Sequence, residues 1–360
     1  MTRHTGFRCV VIACLLTVAR APATATQPAS KPAAPGPATS QPTSAGAGLK
    51  VQYQIPNISG GPNSLVGLKS DGTLVFDGGE KELGVTDENK AEVAGWKDIV
   101  QVAPGWHHLA ALKKDGTVLL VAQKGAEKYV GGASRWKDIV QLASGYDIIY
   151  GLKKDGTVVV AGGWSGEKAA AAGWRDIVAI GEFIGLKKDG TVAVVGDGSA
   201  MAGKPSEWKD IVAVAGQGIG LKKDGTVVVA GKTDFREKYG CVIDVSKMTD
   251  VVDIKSAPAT GIIALRKDGT VVTTGEDNWK QQAMNMNEGA KGAVAITAGE
   301  HFFAVLKPDG TIFSVGQGAN ARNAMGWNLG ATAPNAYQVR NRAVGRPSST
   351  QPATAPAAAK

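Results

Sequence analysis

Cysteine is nearly absent from this 360-residue chain: Cys9, Cys14 and Cys241 are the only three. The first two fall in an N-terminal run expected to be removed, so the remaining body holds one thiol and can form no internal disulfide. Cys241 then reads as a small buried apolar residue. Histidine is as scarce, and His107, His108 and His301 are the ones in the body. His107 and His108 are neighbours, so on a strand they face opposite ways, which argues against a shared metal. No metal or cofactor is expected. Long hydrophobic runs are missing too. The stretch Cys9–Ala19 has eleven residues, too few to cross a bilayer. It follows Arg3 and Arg8 and precedes Ala23-Thr24-Ala25, the layout of a secretory signal covering residues 1–25. The expectation is export, to the medium or to the periplasm and cell envelope, with no membrane span.

Catalytic signatures are also lacking. There is no Gly-x-Ser-x-Gly, no His-Glu-x-x-His and no phosphate-cradling loop. The net charge of +8 offers no nucleic-acid surface either, because residues 1–50 hold five Lys or Arg, residues 336–360 hold four, and neither segment has an acid. Between them stand 31 basic and 32 acidic residues, whereas phosphate binding needs positive charge gathered on the folded domain. Residues 26–49 and 341–360 are rich in Pro, Ala, Ser and Thr and read as disordered flanks. They bracket a single body, residues 50–340.

Repetition is what this body has. Asp-Gly-Thr recurs at Asp71, Asp115, Asp155, Asp189, Asp224, Asp268 and Asp309, at spacings of 44, 40, 34, 35, 44 and 41 residues. Periods of this size mark a repeat architecture. In residues 96–121 a β-rich run ends at Pro104-Gly105, a second run ends at Leu112, and Lys113-Lys114-Asp115-Gly116 turns into a third. Each unit is therefore strand, turn, strand, tight hairpin, strand, with glycine supplying the positive φ of the hairpin. No helical periodicity of useful length separates the units. Seven small antiparallel sheets bury both faces by stacking in a ring, which predicts an all-β, seven-bladed β-propeller with three- to four-stranded blades.

A second element precedes each unit: Trp96-Lys97-Asp98-Ile99-Val100, with counterparts beginning at Trp136, Trp174 and Trp208 and degenerate ones at Met248 and Gly292. The tryptophans are expected to pack between blades. The pattern W-x-D-I-V-x-V-A-x-G-x-x-H-x-x-A-L-K-x-D-G-T-V, best seen at 96–121 and 136–163, resembles the repeat of the regulator of chromosome condensation family over about residues 51–320. That resemblance implies a closed seven-bladed ring and a structural role for His108. Departures include a blurred Asn-x-x-Gly-Gln element, and Ser64, Ile148 and Phe302 where the family has histidine. With an export signal, the chain is more similar to secreted bacterial propellers of the beta-lactamase inhibitory type, which implies binding of a partner protein through aromatic-rich loops.

Within the units the loop after the first strand varies most: Gly105-Trp106-His107, Gly145-Tyr146-Asp147, Gly181-Glu182-Phe183, Gly216-Gln217-Gly218 and Gly299-Glu300-His301-Phe302. Ring symmetry would gather these loops on one face, and aromatics among polar neighbours suit an interface. Trp106, His107, Tyr146, Asp147, Glu182, Phe183, Gln217, Glu300 and Phe302 are thus the candidate contacts of a monomeric, non-catalytic module that binds another protein. A cell-surface polysaccharide is the alternative ligand, and a hydrolase or lyase using Asp147, Glu182 and Glu300 a third reading. Variable segments after the third strand, with Trp164 and Trp279, form a rival surface. Ala336–Val339 is expected to close the ring beside Val51–Ile55.

Overall fold

Each repeat folds into a three-stranded antiparallel sheet, and the chain forms seven of them. The computed structural model describes residues 57–330 except 63, 164, 196–202, 217, 231–233, 236–240, 258–260, 276–288, 301 and 317–325. Blade one comprises Asn57–Gly60, Leu65–Leu68 and Leu74–Asp77 as inner, middle and outer strands. Blade two follows with Ile99–Pro104, His108–Lys113 and Val118–Ala122, and blade three with Ile139–Ser144, Ile148–Lys153 and Val158–Gly162. The inner strands of blades four to seven are Ile177–Gly181, Ile211–Ala215, Val251–Ala257 and Ala295–Gly299. A ribbon of Asp234–Phe235 and Cys241–Val242 extends blade six to five strands. Cys241 belongs to that ribbon; the burial of its side chain lies outside the described residues.

The core is divided among the blade interfaces. Seven separate apolar clusters each join one sheet to the next, from blades one and two (Val66 and Leu68 against Val102 and Leu109) round to blades seven and one (Phe302 and Leu306 against Ile58 and Leu65). The circle is closed: this is a seven-bladed β-propeller. Both faces of most blades are buried, so the strands carry apolar residues on both sides.

The repeated residues hold this circle together at one end of the blades. In every Asp-Gly-Thr hairpin the threonine N–H and hydroxyl both donate to the aspartate, as Thr157 N and Oγ1 do to Asp155 Oδ1 at 2.9 and 2.6 Å. Gly156 takes φ +81°, and its carbonyl accepts from Ile177 N of the next blade at 3.0 Å. The aspartate of each Trp-x-Asp element sits beside that hairpin: Lys154 N donates to Asp138 O at 2.9 Å. Asp98, Asp138, Asp176, Asp210 and Asp250 all have φ between 56° and 61°, a left-handed turn that aspartate tolerates better than most residues. A bulge follows directly, with the ladder slipping between Ile99 and Gln101 and at the same place in blades three to six.

Trp96, Trp136, Trp174 and Trp208 pack in the seams between blades, with Met248 in the next slot. The sixth copy shifts from its expected register. Gly292 has φ +77° and Ala293 N donates to Gly269 O as Ile177 N does to Gly156 O, so Gly292 occupies the aspartate position and Ala290 the tryptophan position. The seventh occupant comes from the chain's other end. Trp327 packs on the blade-one cluster with Leu329, Leu329 N donates to Gly310 O of blade seven, and Ser70 N of blade one donates to Leu329 O, both at 2.9 Å. Ring closure among the described residues therefore runs through Trp327–Leu329. The pairing expected between Ala336–Val339 and Val51–Ile55 lies outside them.

Short helices, absent from the periodicity, fill the connections: Lys90–Ala94, Glu127–Val130 and Ser165–Ala172. The hairpins suggest a modest local experiment. Asp155→Ala removes one of several equivalent exposed turns and is expected to lower Tm by about 1–3 °C; a much larger fall in a thermal melt would show that the turns act as a unit. The Thr117 hydroxyl holds the Asp115 carboxyl down to about 2. Its folded value is lowered, so its contribution is complete above the ordinary aspartate pKa of about 3.9 and disappears as pH falls through about 2.

Candidate functional site

Strand direction assigns the loops to faces. The repeated hairpins join middle to outer strands at one end, so the variable loops between inner and middle strands share the other. The outer strands finish at that same end, where Gln123 N donates to His107 O at 2.8 Å and Gly163 N to Asp147 O at 2.9 Å. The segments after the third strand thus begin against the loops. The two surfaces read as rivals in the sequence are neighbours on one face.

This face is uneven. The middle strands of blades two, three and six have six residues, His108–Lys113, Ile148–Lys153 and Gly261–Arg266. Those of blades four and five have four, Ile184–Lys187 and Ile219–Lys222. Because the hairpin ends are in register, the missing pair is lost from the loop end, a step of about 6–7 Å at roughly 3.3 Å per residue. Blades two and three stand above blades four and five.

On the high sector two loops lock together. Trp106 stacks on Tyr146 with centroids 4.9 Å apart and planes at 24°, and Trp106 N donates to Tyr146 O at 2.9 Å. His107 Nδ1 lies 2.7 Å from Asp147 Oδ1, both side chains partly exposed. Tyr146 is 39% exposed, and Tyr129 at 56% is the other large apolar side chain so uncovered among the described residues. Sequence reading passed over Tyr129, which stands on a single helical turn with Lys128 Nζ 4.7 Å from its ring; its place in a variable segment was the available signal.

The remaining candidates are dispersed. Glu182 is buried beside the Gly145 and Gly216 backbone, where a Cβ on either glycine would meet it. Phe183, at φ +64°, turns inward, edge-on to Tyr150 at 6.3 Å. Phe302 is 2% exposed within the seam between blades seven and one. Glu300 lies in the turn of blade seven, its N–H donated to Pro62 O of blade one. Gln217, Trp164, Trp279 and His301 lie outside the described residues.

Beneath the Trp106–Tyr146 pair runs a buried polar chain. His108 is fully covered, and its Nε2 lies 3.2 Å from Ser144 Oγ. That hydroxyl donates to Ala103 O at 3.0 Å, so its oxygen accepts from His108 and the imidazole proton resides on Nε2. Nδ1 has no hydrogen-bond partner among the described residues. Burial lowers the His108 pKa to about 4, Asp147 raising it and His107 lowering it by smaller amounts. The ring is neutral at ordinary pH.

The inner strands of all seven blades surround a central cavity of about 350 Å³. Gln101 and Gln141 zip its wall, each amide donating to and accepting from the backbone of the next blade. Asp253 and Lys255 pair there at 3.1 Å. No group of three or more His, Cys, Asp or Glu suited to a metal occurs among the described residues.

No family model matches the chain, and no curated protein matches it in sequence. Solved structures do. The CRINKLY WD40 ectodomain of the Arabidopsis thaliana receptor kinase ACR4 aligns at a TM-score of 0.52 and 16% identity, covering 73% of this chain and 99% of that one. The entire ectodomain of the Physcomitrella patens receptor kinase CR4 aligns at 0.51 and 14%, covering 74% and 73%. Prp20p of Saccharomyces cerevisiae shares 16% identity over 77% and 75%, with a TM-score of 0.39 that adds no weight. At such identities the likeness is one of fold.

Proposed function

We propose that this propeller is an exported, non-catalytic module that binds a partner protein with the high sector of its loop face. The stacked Trp106–Tyr146 pair carries this reading. It couples two adjacent blades, leaves Tyr146 uncovered, and is flanked by His107 and Asp147. Large aromatics held rigidly among polar neighbours have the make-up of a binding hot spot, since little side-chain freedom remains to be lost on docking. Acids argue in the same direction. Asp147 faces His107, Glu182 is covered by neighbouring turns, and the repeated aspartates are engaged within their hairpins.

The test is capture from an extracellular or envelope fraction, followed by affinity measurement with Trp106→Ala/Tyr146→Ala. Loss of two hot-spot aromatics is expected to weaken the complex at least about 30-fold, with the cooperative unfolding transition retained. Undiminished capture by the double variant would overturn the reading. The exposed aromatic faces beside the Asp147 carboxylate also suit stacking on a sugar ring, so a glycan panel belongs in the same experiment. Intact protein capture with lost glycan retention would transfer the site to a polysaccharide.

A further inference from the structure

The interface between blades two and three is the seam on which the proposed docking face stands, and it contains a fully covered histidine. His108 reaches across the seam from the middle strand of blade two to Ser144 on the inner strand of blade three. Ser144 returns the contact to Ala103 of blade two. Directly above, Gly105 and Gly145 begin the turns that carry Trp106 and Tyr146. Gly105 is packed so tightly that a Cβ there would lie 2.2 Å from His108 Cε1 and 2.7 Å from Gly145 O. The imidazole, both turns and the aromatic stack are therefore packed in one continuous arrangement.

Protonation would place a second N–H at Nδ1, a buried atom with no acceptor among the described residues, and a bare buried donor on a charged ring is costly. The titratable groups that act on the ring are Asp147 from blade three, which favours the proton, and His107 from its own blade, which opposes it. Ser144 offers only a hydroxyl whose own proton is already given to Ala103. Glu182 of blade four is held against Gly145.

We propose that His108 is an acid-triggered latch: proton uptake at its bare nitrogen opens the seam between blades two and three and disassembles the Trp106–Tyr146 face, releasing what is bound there. The release rests on the docking role proposed above; the opening does not. The sign follows from linkage. Closed, the ring titrates at about 4; opened to water, it regains the ordinary value of about 6.5. The open form thus binds more protons throughout that interval, and opening becomes about 20-fold more favourable at pH 5 than at pH 7.

Amide hydrogen exchange on the intact chain tests the latch without any partner, because the Trp106 N–H is itself bonded to Tyr146 O across the seam. Its protection, corrected for intrinsic exchange, is expected to fall about 20-fold from pH 7 to pH 5, while amides of the strand Gly261–Arg266 in blade six hold theirs. His108→Gln keeps a donor for Ser144 and cannot titrate, so its Trp106 protection is expected to lose this fall. Should the glutamine variant fail to fold, the imidazole ¹⁵N shifts of the native chain report whether Nδ1 gains a proton as the seam opens. Equal Trp106 protection at both pH values, an equal fall in His108→Gln, or a simultaneous fall in blade six would each overturn the proposal. If the seam opens but a captured partner stays bound at pH 5, the latch stands and the assignment of the partner to this face falls.

Discussion

Replacing both Trp327 and Leu329 with alanine is expected to lower stability by at least about 4 kcal/mol and to broaden the thermal transition. Leu329 is 1% exposed and Trp327 packs beside it in the closing cluster. Truncating a buried leucine costs about 2–5 kcal/mol and a tryptophan about 3–5, less where it is partly exposed. Two backbone bonds depend on the same segment, one from each side of the seam. The effect is greater than for equal truncation elsewhere, because the other seams are bridged by continuous chain, whereas this one is held by contacts alone. A Tm within a few degrees of the parent would mean that a different segment closes the ring.

Gly162→Ala is expected to cost more than about 2 kcal/mol and to disturb the docking face without altering a candidate contact. Gly162 ends the outer strand of blade three at φ +80°, a conformation unfavourable to any residue with a Cβ by about 1 kcal/mol. An added Cβ would also lie 2.0 Å from Asp147 O. This neighbour is backbone, so either the strand end or the Tyr146-Asp147 turn must shift. Chemical denaturation measures the first consequence, and the near-ultraviolet circular dichroism spectrum, to which the Trp106–Tyr146 stack contributes, reports the second. A stable variant with an unaltered spectrum would show that the turn yields freely, which would undercut a rigid docking face.

How far the sequence could be read follows from the length scale of each signal. The Asp-Gly-Thr hairpins were legible because turn chemistry is local: Thr73 and its six counterparts bond the aspartate two residues before them. Blade number followed by counting. The shortening of blades four and five was visible as spacing, but its meaning was not, because a step on one face requires the hairpin ends to be in register. Trp327 was missed since Trp327-Asn328-Leu329 lacks the Asp-Ile-Val that follows Trp96, Trp136, Trp174 and Trp208 and is separated in sequence from the blade it completes. The sixth copy was misaligned by two residues because glycine replaced the aspartate of the left-handed turn, removing the one residue that fixes the frame. Among the loop aromatics, position showed which lie near the rim but not which way they turn. Tyr146 points out while Phe302 is absorbed by a seam. Direction depends on backbone dihedrals and on the neighbouring blade, neither of which a single repeat encodes.

The step between blades three and four has a further consequence. A ring of equal blades would give an incoming molecule several interchangeable bearings about the axis, and encounter would yield a mixture of orientations. Two adjacent low blades beside two tall ones abolish that degeneracy, as a key tooth does in a round lock. Under the proposed docking role, a partner spanning the boundary would meet it at one azimuth, with one copy expected per ring.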